Sequence, residues 1–359
     1  MYFDEVDKGM AGGTGHIGGA VLDGIYGYPG WTSLTVLVRG DAKAQRLQAR
    51  YPKISVLVGD IDNVEIVEAA AKDADIVINC CPDISHEEGI SAILRGLASR
   101  EVKGFYFHTS GAALIWDEPD GSKAGTKVWD DIEDIGVITS LPEDKSHRKT
   151  DKLVFVASED VNVAIISPTM VCGLSQSIEH PFPLTLPSIL KVIRSLNSGF
   201  TVSAGENRLS YIHVQDLASL YFTLACHALR YIAYEVGSTN DDPKEIVSYC
   251  GPKAYYFAEF GDTSFGSYMA DMVRELNFLG VLENIEVKRI DLRDAEQASG
   301  AMEDDAPDSW AKHIAASYGI DMRVKASRAK KLGWDPRVKN LQHDLGEVLK
   351  KYSESEKGV

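Results

Sequence analysis

Residues 10–25 carry glycines at a spacing suited to binding phosphate. Gly12, Gly15 and Gly18 stand at intervals of three, and an apolar helical pattern begins directly after them. Glycines allow a tight turn and a close approach of the backbone to a ligand. The first N–H groups of the following helix have no intrahelical partners, and its positive dipole end favours an anion. The sequence therefore predicts that this turn binds the pyrophosphate of a dinucleotide.

Two charged residues farther along indicate which dinucleotide binds. Arg39 ends the next apolar run, at the position that reads the adenosine ribose in dinucleotide-binding folds. A guanidinium there pairs with a 2′-phosphate, whereas a carboxylate would accept from a free 2′-hydroxyl. We therefore expect NADP rather than NAD as the cofactor. Asp60, after the third apolar run, is expected either to accept from the adenine amino group or to cap the next helix.

The elements that position these residues alternate along the first half of the chain. Strands are predicted at 34–39, 54–59, 75–81, 104–110 and 161–167, with amphipathic helical patterns between them. Continuous apolar runs are typical of strands buried on both faces of a parallel sheet. The alternation predicts an α/β fold, a Rossmann-type doubly wound parallel sheet.

This pattern divides the chain into two regions. Residues 1–174 are predicted to form the NAD(P)-binding Rossmann domain, with an acidic loop at 117–145 that is either a lid or a solvated excursion. Residues 175–359 are predicted to form a smaller, mostly helical substrate lobe. Its segments 211–222 and 254–260 are expected to pack back on the core.

The first strand departs from the expected pattern. Residues 2–10 should be an unbroken apolar run, yet they contain Asp4, Glu5, Asp7 and Lys8. Burying unpaired charges costs several kcal/mol each, on the order of the net stability of a domain. Either this strand is short and irregular, or the recorded start of the chain is not the natural one.

Composition narrows the classes of function. The formal net charge of −16 argues against nucleic-acid binding, which needs a basic face. No apolar run is long enough to span a bilayer, and the five cysteines follow neither a metal spacing nor a disulfide framework. We expect a cytoplasmic protein with a small-molecule substrate and no membrane or nucleic-acid partner. Its oligomeric state is left open, with a homodimer as one arrangement.

Taken together, several segments resemble one family. The segments "AGGTGHIGG", "VLVRG", "GDIDN" and "FHTSGAA" occur in the order found in the short-chain dehydrogenase/reductase superfamily. "ISPTMVCG", "YIHVQDLASLYF" and the C-terminal segments are similar to its extended or atypical branch, the NAD(P)-dependent epimerase/dehydratase group, in a fungal form. The resemblance covers about residues 11 to 350.

The resemblance implies a catalytic set. In this family a Ser or Thr after the fifth strand and a Tyr-x-x-x-Lys pair on the next helix carry catalysis, with the tyrosine as general acid or base. Thr109 and Ser110 match the hydroxyl position, and Lys152 matches the lysine, which also holds the nicotinamide ribose. Arg148 stands where the tyrosine should be and cannot donate a proton at neutral pH. His147 is the alternative acid or base, although five residues from Lys152 is about 140° around a helix.

The same resemblance implies further contacts. The remaining cofactor-binding positions are Thr14, His16, Ile17, Ile61, Cys81 and Pro168. The substrate-lining candidates are Trp116, Met170 and Tyr211. No metal ligands are predicted.

Three functions are compatible with this sequence. The first is an NADP-dependent oxidoreductase or epimerase that acts on a small hydroxyl or carbonyl metabolite without the usual tyrosine. The second is a non-catalytic NADP-binding sensor that resembles NmrA-like proteins, and the third is non-redox lyase or isomerase chemistry. The missing tyrosine keeps the second and third open.

Overall fold

The buried runs of the first half form the strands of a central parallel sheet. A computed structural model describes residues 6–235, 249–303, 310–338, 341–342 and 344–357. Its seven-stranded sheet consists of β1 (Asp7–Ala11), β2 (Ser33–Val38), β3 (Ser55–Val58), β4 (Ile76–Asn79), β5 (Phe105–Thr109), β7 (Asn162–Pro168) and β11 (Tyr255–Ala258). The strand order is β11-β7-β5-β4-β1-β2-β3, and every pairing is parallel. The predicted Rossmann-type fold is confirmed.

Helices cover both faces of this sheet because its strands are apolar on both sides. Tyr106 belongs to one buried cluster, whereas Phe105 and Phe107 belong to the cluster on the opposite face. The helices between these strands are α1 (His16–Tyr26), α2 (Asp41–Arg50), α3 (Val64–Asp73), α4 (Glu87–Ala98), α5 (Ile135–Ile138) and α6 (Arg148–Val156). The strand order reverses between β1 and β4, and ligands of doubly wound folds bind in the crevice at such a point.

The second half contributes small sheets and most of the remaining helices. Its strands are β8 (Met170–Cys172), β9 (Gly199–Val202), β10 (Arg208–His213), β12 (Gly261–Ser264), β13 (Val287–Ile290) and β14 (Val324–Lys325). Its helices are α7 (Leu186–Leu196), α8 (Val214–Glu235), α9 (Phe265–Phe278), α10 (Leu292–Ser299), α11 (Trp310–Ala316), α12 (Ser327–Lys331) and α13 (Leu345–Lys357). In the described part of the chain, no helix is both long and apolar enough to cross a membrane.

The first strand is short, and it buries one of its charges. Lys8 is 2% exposed, and its ammonium nitrogen lies 3.7 Å from the centre of the Trp31 ring. Burial lowers the pKa of Lys8 to about 7, although Asp75 and Asp7 raise it. The Trp31 ring attracts the ammonium group, and the lowered pKa allows the amine to be neutral near pH 7. Both effects reduce the desolvation cost of burying Lys8. Asp4 and Glu5 lie outside the described residues.

The acidic connection 117–145 is anchored between the two halves of the chain. Its short strand β6 (Trp129–Asp130) pairs with β14. The buried Asp131 carboxylate accepts hydrogen bonds from the backbone of Phe257 at 3.0 Å and of Arg328 at 2.8 Å. Backbone and carboxylate contacts of this kind fix the middle of the connection to the fold.

Candidate active site

The glycine turn lies at the junction of β1 and β4, where the strand order reverses. Gly12 has φ +79°, and a Cβ there would lie 2.5 Å from the backbone carbonyl carbon of Cys80. A Cβ at Gly18 would overlap the carbonyl oxygen of Gly12. Only glycine fits both positions, so the first turn of α1 approaches the strand ends closely. This cradle fits a pyrophosphate.

A segment from the second half holds the turn from its carbonyl side. The Ser175 hydroxyl donates to the His16 carbonyl at 2.6 Å, and the Ser177 hydroxyl donates to the Thr14 carbonyl at 2.8 Å. Burial lowers the pKa of the His16 imidazole to about 4, so this ring is neutral. These hydroxyls fix the carbonyls, which leaves the N–H side of the turn for an anion. The sequence analysis did not find Ser175 or Ser177, since they lie far from the turn in the chain.

Arg39 and Asp60 meet at the ends of β2 and β3. The Arg39 side chain is 73% exposed, and its Nε lies 3.7 Å from an Asp60 carboxylate oxygen. The other Asp60 oxygen accepts from the Asp62 backbone N–H at 3.1 Å. The helix α3 begins after Asn63, so Asp60 does not cap it. An exposed guanidinium at this position can turn towards a phosphate at small cost.

The other predicted cofactor contacts lie along the same edge of the sheet. Ile61 follows β3 and is buried, Cys81 follows β4 and is half-buried, and Pro168 ends β7. Ile17 lies half-buried in the first turn of α1. The positions of these residues are known from the structure, whereas their contacts with a dinucleotide remain predictions.

The helix α6 presents different residues to the core than the sequence analysis expected. His147 is its N-cap, with the left-handed φ of 66°, and Arg148 is its first residue. The buried residues of α6 include Asp151, whereas Lys152 is 56% exposed and ion-paired with Glu143. The structure therefore does not bring Lys152 to the strand ends. The predicted register is off by one residue, and the inward pair spaced by four is His147 and Asp151.

Arg148, at the family's tyrosine position, has a structural role. Its Nε donates to the Leu141 carbonyl at 2.9 Å, and another of its nitrogens donates to the Thr139 carbonyl. Arg148 thus ties α6 to the end of the acidic connection rather than to the strand ends.

His147 is held by a buried carboxylate. Its Nδ1 donates to Asp83 Oδ1 at 2.7 Å, and the Thr150 hydroxyl donates to Asp83 Oδ2 at 2.7 Å. A Cβ at Gly111 would lie 2.6 Å from His147 Nε2, so the absence of a side chain after β5 makes room for this ring. A left-handed backbone at a non-glycine residue costs about 1–3 kcal/mol of strain. Such strained residues are common at active sites, where the backbone must orient a side chain.

The two partners stabilise each other's charge. Burial raises the pKa of Asp83, but the His147 and His108 imidazoles lower it by more than burial raises it. The net pKa of Asp83 therefore lies well below its usual range. Burial lowers the pKa of His147, but the charge and the hydrogen bond of Asp83 raise it above its usual value of 6.5. At neutral pH the pair is therefore an aspartate and a histidine poised to carry the proton.

A chain of buried hydrogen bonds lies behind this pair. The Cys81 backbone N–H donates to Asn79 Oδ1 at 3.0 Å, which fixes the orientation of the amide. The Asn79 amide nitrogen donates to the Tyr106 hydroxyl oxygen at 2.9 Å, and that hydroxyl is 3.1 Å from His108 Nδ1. Because Tyr106 already accepts from Asn79, its proton is free to go to His108 Nδ1.

His108 Nε2 points between two carboxylates. It lies 3.6 Å from Asp83 Oδ2 and 4.0 Å from Asp151 Oδ1. Burial raises the pKa of Asp151 to about 6, although His108 lowers it. These three residues have a spacing that could hold a metal ion. At 3.6 and 4.0 Å these contacts are longer than hydrogen bonds, so within the described residues His108 Nε2 and the Asp151 carboxylate oxygens interact through charge and have no hydrogen-bond partners.

The two hydroxyl candidates have different surroundings. Thr109 is part of the sheet packing, since its hydroxyl donates to the Asn79 carbonyl at 2.7 Å and lies 2.6 Å from the Tyr221 hydroxyl. Ser110 is buried next to Asp151, whose pKa it lowers. The structure therefore brings Ser110, and not Thr109, next to Asp151.

The substrate-lining candidates separate into two places. Trp116 stacks on His313 of α11, with ring centres 4.3 Å apart, and the His313 ring centre lies 6.4 Å from that of His147. Met170 and Tyr211 are paired residues of β8 and β10. Trp116 is thus the predicted lining residue that contacts His313, the histidine next to His147.

Asp83, His108, Asp151 and His313 were missed by the sequence analysis. One signal could have found Asp151: it stands four residues after His147, the spacing of the family's catalytic pair. The position of His313 depends on tertiary packing and leaves no local signal.

Comparisons with known proteins bear on the glycine turn and on the fold. Residues 12–171 match a family model described as NAD(P)H-binding. The matched range includes the glycine turn at Gly12–Gly18 and the strands from β2 to β7. Solved structures of epimerases and dehydratases share the fold along nearly the whole chain.

These relatives span nearly the whole chain. Oxidase ucsJ from an Acremonium species is 27% identical and covers 96% of each chain. The UDP-glucose 4-epimerase of Thermotoga maritima is 13% identical with a TM-score of 0.60, covering 97% of this chain and 99% of its own. The dTDP-glucose 4,6-dehydratase of Bacillus anthracis is 14% identical with a TM-score of 0.60, covering 98% of each chain. The chain thus has an NAD(P)-binding oxidoreductase or epimerase type of fold.

Proposed function

We propose that this protein is an NADP-dependent oxidoreductase in which His147, held by Asp83, replaces the usual tyrosine as the proton donor and acceptor. The substrate is a small molecule with a hydroxyl or carbonyl group. The observation that carries the proposal is the 2.7 Å bond between His147 Nδ1 and the buried Asp83, beside the end of β5.

Some of the site residues would bind the cofactor, and others would transfer the proton. Gly12, Gly18 and the first turn of α1 would hold the pyrophosphate, and Arg39 would pair with the 2′-phosphate. When bound, the nicotinamide supplies or accepts a hydride. His147 Nε2 packs beside the backbone of Gly111 and would donate its proton to the substrate oxygen.

The surroundings of His147 explain how it remains ready to react. Asp83 orients the ring and stabilises its cationic form, as a buried carboxylate does in a catalytic triad. Ser110 is the additional hydroxyl that could donate to the substrate oxygen. An oxidase among the relatives supports a redox enzyme over a sensor that only binds the dinucleotide.

The cofactor preference depends on Arg39. We expect Arg39→Ala to weaken NADPH binding by roughly 10- to 100-fold, since a hydrogen bond between charged groups contributes about 1.5–3 kcal/mol. NADH binding should change little. Isothermal titration calorimetry with both dinucleotides measures this. Arg50→Ala is the matched control because Arg50 also pairs with an aspartate, Asp23, but lies at the far end of α2 from Arg39. Equal loss of NADPH and NADH affinity in Arg39→Ala would remove the 2′-phosphate assignment.

The pH dependence follows from the raised pKa of His147. Protonated His147 is the donor, so the rate of carbonyl reduction should be high below this pKa and fall as pH rises through it. Asp83→Asn removes the charge that raises the pKa, and the alkaline limb should move to lower pH. Profiles of kcat/KM from about pH 5 to 9 for both proteins test this. An unmoved limb in Asp83→Asn would show that another group donates the proton.

The same shift affects folding stability. The folded pKa of His147 is raised above 6.5, so its contribution to stability is complete below that pH and is lost as pH rises through the folded value. Chemical unfolding at about pH 6 and pH 9 should therefore show a larger loss on alkalinisation for the native chain than for Asp83→Asn.

A further inference from the structure

A second histidine faces His147 from the other half of the chain. The helix α11 places His313 against Trp116, with the rings stacked at 4.3 Å and inclined by 24°. Trp310 of the same helix meets His313 edge-on at 5.4 Å. The imidazole of His313 is therefore held in one orientation between two tryptophans.

The two imidazoles lie close together in an edge-to-face arrangement. Their ring centres are 6.4 Å apart, and their planes are inclined by 84°. His147 is bound to Asp83 through Nδ1, whereas no group in the described ranges hydrogen-bonds the His313 ring. The nitrogens of His313 are thus available to a substrate that also reaches His147.

The surroundings drive the two rings to opposite protonation states. Burial and the nearby His147 together lower the pKa of His313 to about 4, although Asp83 raises it. The pKa of His147 is raised by Asp83. A pair of titratable groups with opposite shifts in one site is the usual arrangement of a general base and a general acid.

We infer that His313 is a second catalytic residue, a base that removes a proton from the carbon next to the substrate carbonyl while His147 protonates the carbonyl oxygen. The inference rests on the proton-donor role of His147 in the proposed function. It adds enolisation, and hence isomerisation of a ketone or aldehyde, to the chemistry of the site.

The step balances without a further reagent. The His313 nitrogen takes the proton, and the C–H electron pair becomes the carbon–carbon double bond. The carbonyl π pair takes the proton from His147, which leaves an enol, a neutral His147 and a protonated His313. Return of a proton to either face of the carbon regenerates the carbonyl compound.

The walls of the site indicate the body of the substrate. Trp116 and Trp310 flank His313, so an apolar or aromatic group next to the carbonyl would pack on the indole rings. Phenylacetone combines an aromatic ring, a carbonyl and an acidic C–H between them, and it is the probe we choose.

The test is exchange of the phenylacetone α-protons with deuterium oxide, followed by proton NMR without any cofactor. The native chain should speed the exchange at C1, and His313→Phe and His313→Asn should lose about 100-fold or more of that acceleration. His313→Phe keeps a ring on Trp116 but has no nitrogen, so it separates a base from a residue that only shields His147. His227→Phe is the matched control, because His227 also packs on an aromatic ring, that of Tyr249 at 4.3 Å.

The outcomes separate this inference from the proposed function. Loss of exchange in both His313 variants, with unchanged thermal unfolding, supports the base. Full exchange in His313→Phe, or no acceleration by the native chain, overturns it. Because the assay contains no dinucleotide, its failure leaves the NADPH-dependent reduction intact, and failure of that reduction leaves this result intact.

Discussion

His147→Asn should lower kcat for NADPH-dependent carbonyl reduction by roughly 100- to 10,000-fold, the range that a positioned general acid contributes. Asparagine can still hydrogen-bond Asp83 but cannot transfer a proton at neutral pH. NADPH affinity should stay within about twofold, because the cradle at β1 is untouched. Consumption of NADPH against a panel of ketones and aldehydes, with calorimetric binding, measures both quantities.

The control for this change is the lysine that the family resemblance singled out. Lys152 lies on the outer side of α6 and pairs with Glu143. Lys152→Ala should therefore leave kcat and KM nearly unchanged. If Lys152→Ala abolished reduction while His147→Asn did not, the register derived from the structure would be wrong.

Gly18→Ala is expected to have the second large effect, a loss of NADPH affinity of roughly 100-fold or more, since misplacement of a binding group by about 1 Å has effects of that size. A Cβ at Gly18 would overlap the Gly12 carbonyl, which is backbone and cannot move aside without shifting the turn. Overpacking of this kind should also cost about 1–3 kcal/mol of stability. Calorimetry and thermal unfolding measure the two effects separately.

Gly24→Ala is the matched control on the same helix. Gly24 is an exposed residue of α1, and a Cβ there would meet nothing within 4 Å. This substitution should leave binding unchanged and stabilise the helix by about 0.5–1 kcal/mol. Tight NADPH binding by Gly18→Ala would show that the dinucleotide does not use this turn.

The sequence was sufficient for the fold and for the cradle because both depend on local patterns. The apolar run at 104–110 predicted β5, observed at Phe105–Thr109, since continuous burial on two faces leaves a continuous apolar signal. Gly12 and Gly18 were found because close backbone approach restricts both positions to one residue type.

The acid–base residues were harder to predict from the sequence, because their arrangement depends on how α6 begins and on contacts between residues far apart in the chain. His147 is the left-handed N-cap of α6, and the pair spaced by four that faces inward is His147 and Asp151 rather than Arg148 and Lys152. Asp83 follows β4, and His313 arrives from α11, so neither has a local pattern that connects it with His147. The burial of Lys8 in β1 could not be predicted for a similar reason, because the residue that shields its charge, Trp31, lies on another loop.

The most direct test of the account is an NMR titration of His147 in the native chain and in Asp83→Asn. Histidine labelled at Cε1, with His147→Asn to assign the signal, gives the pKa without a substrate. The account predicts that His147 titrates above 6.5 in the native chain and returns towards or below that value in Asp83→Asn. A native pKa at or below 6.5, unchanged by loss of the Asp83 charge, would contradict it.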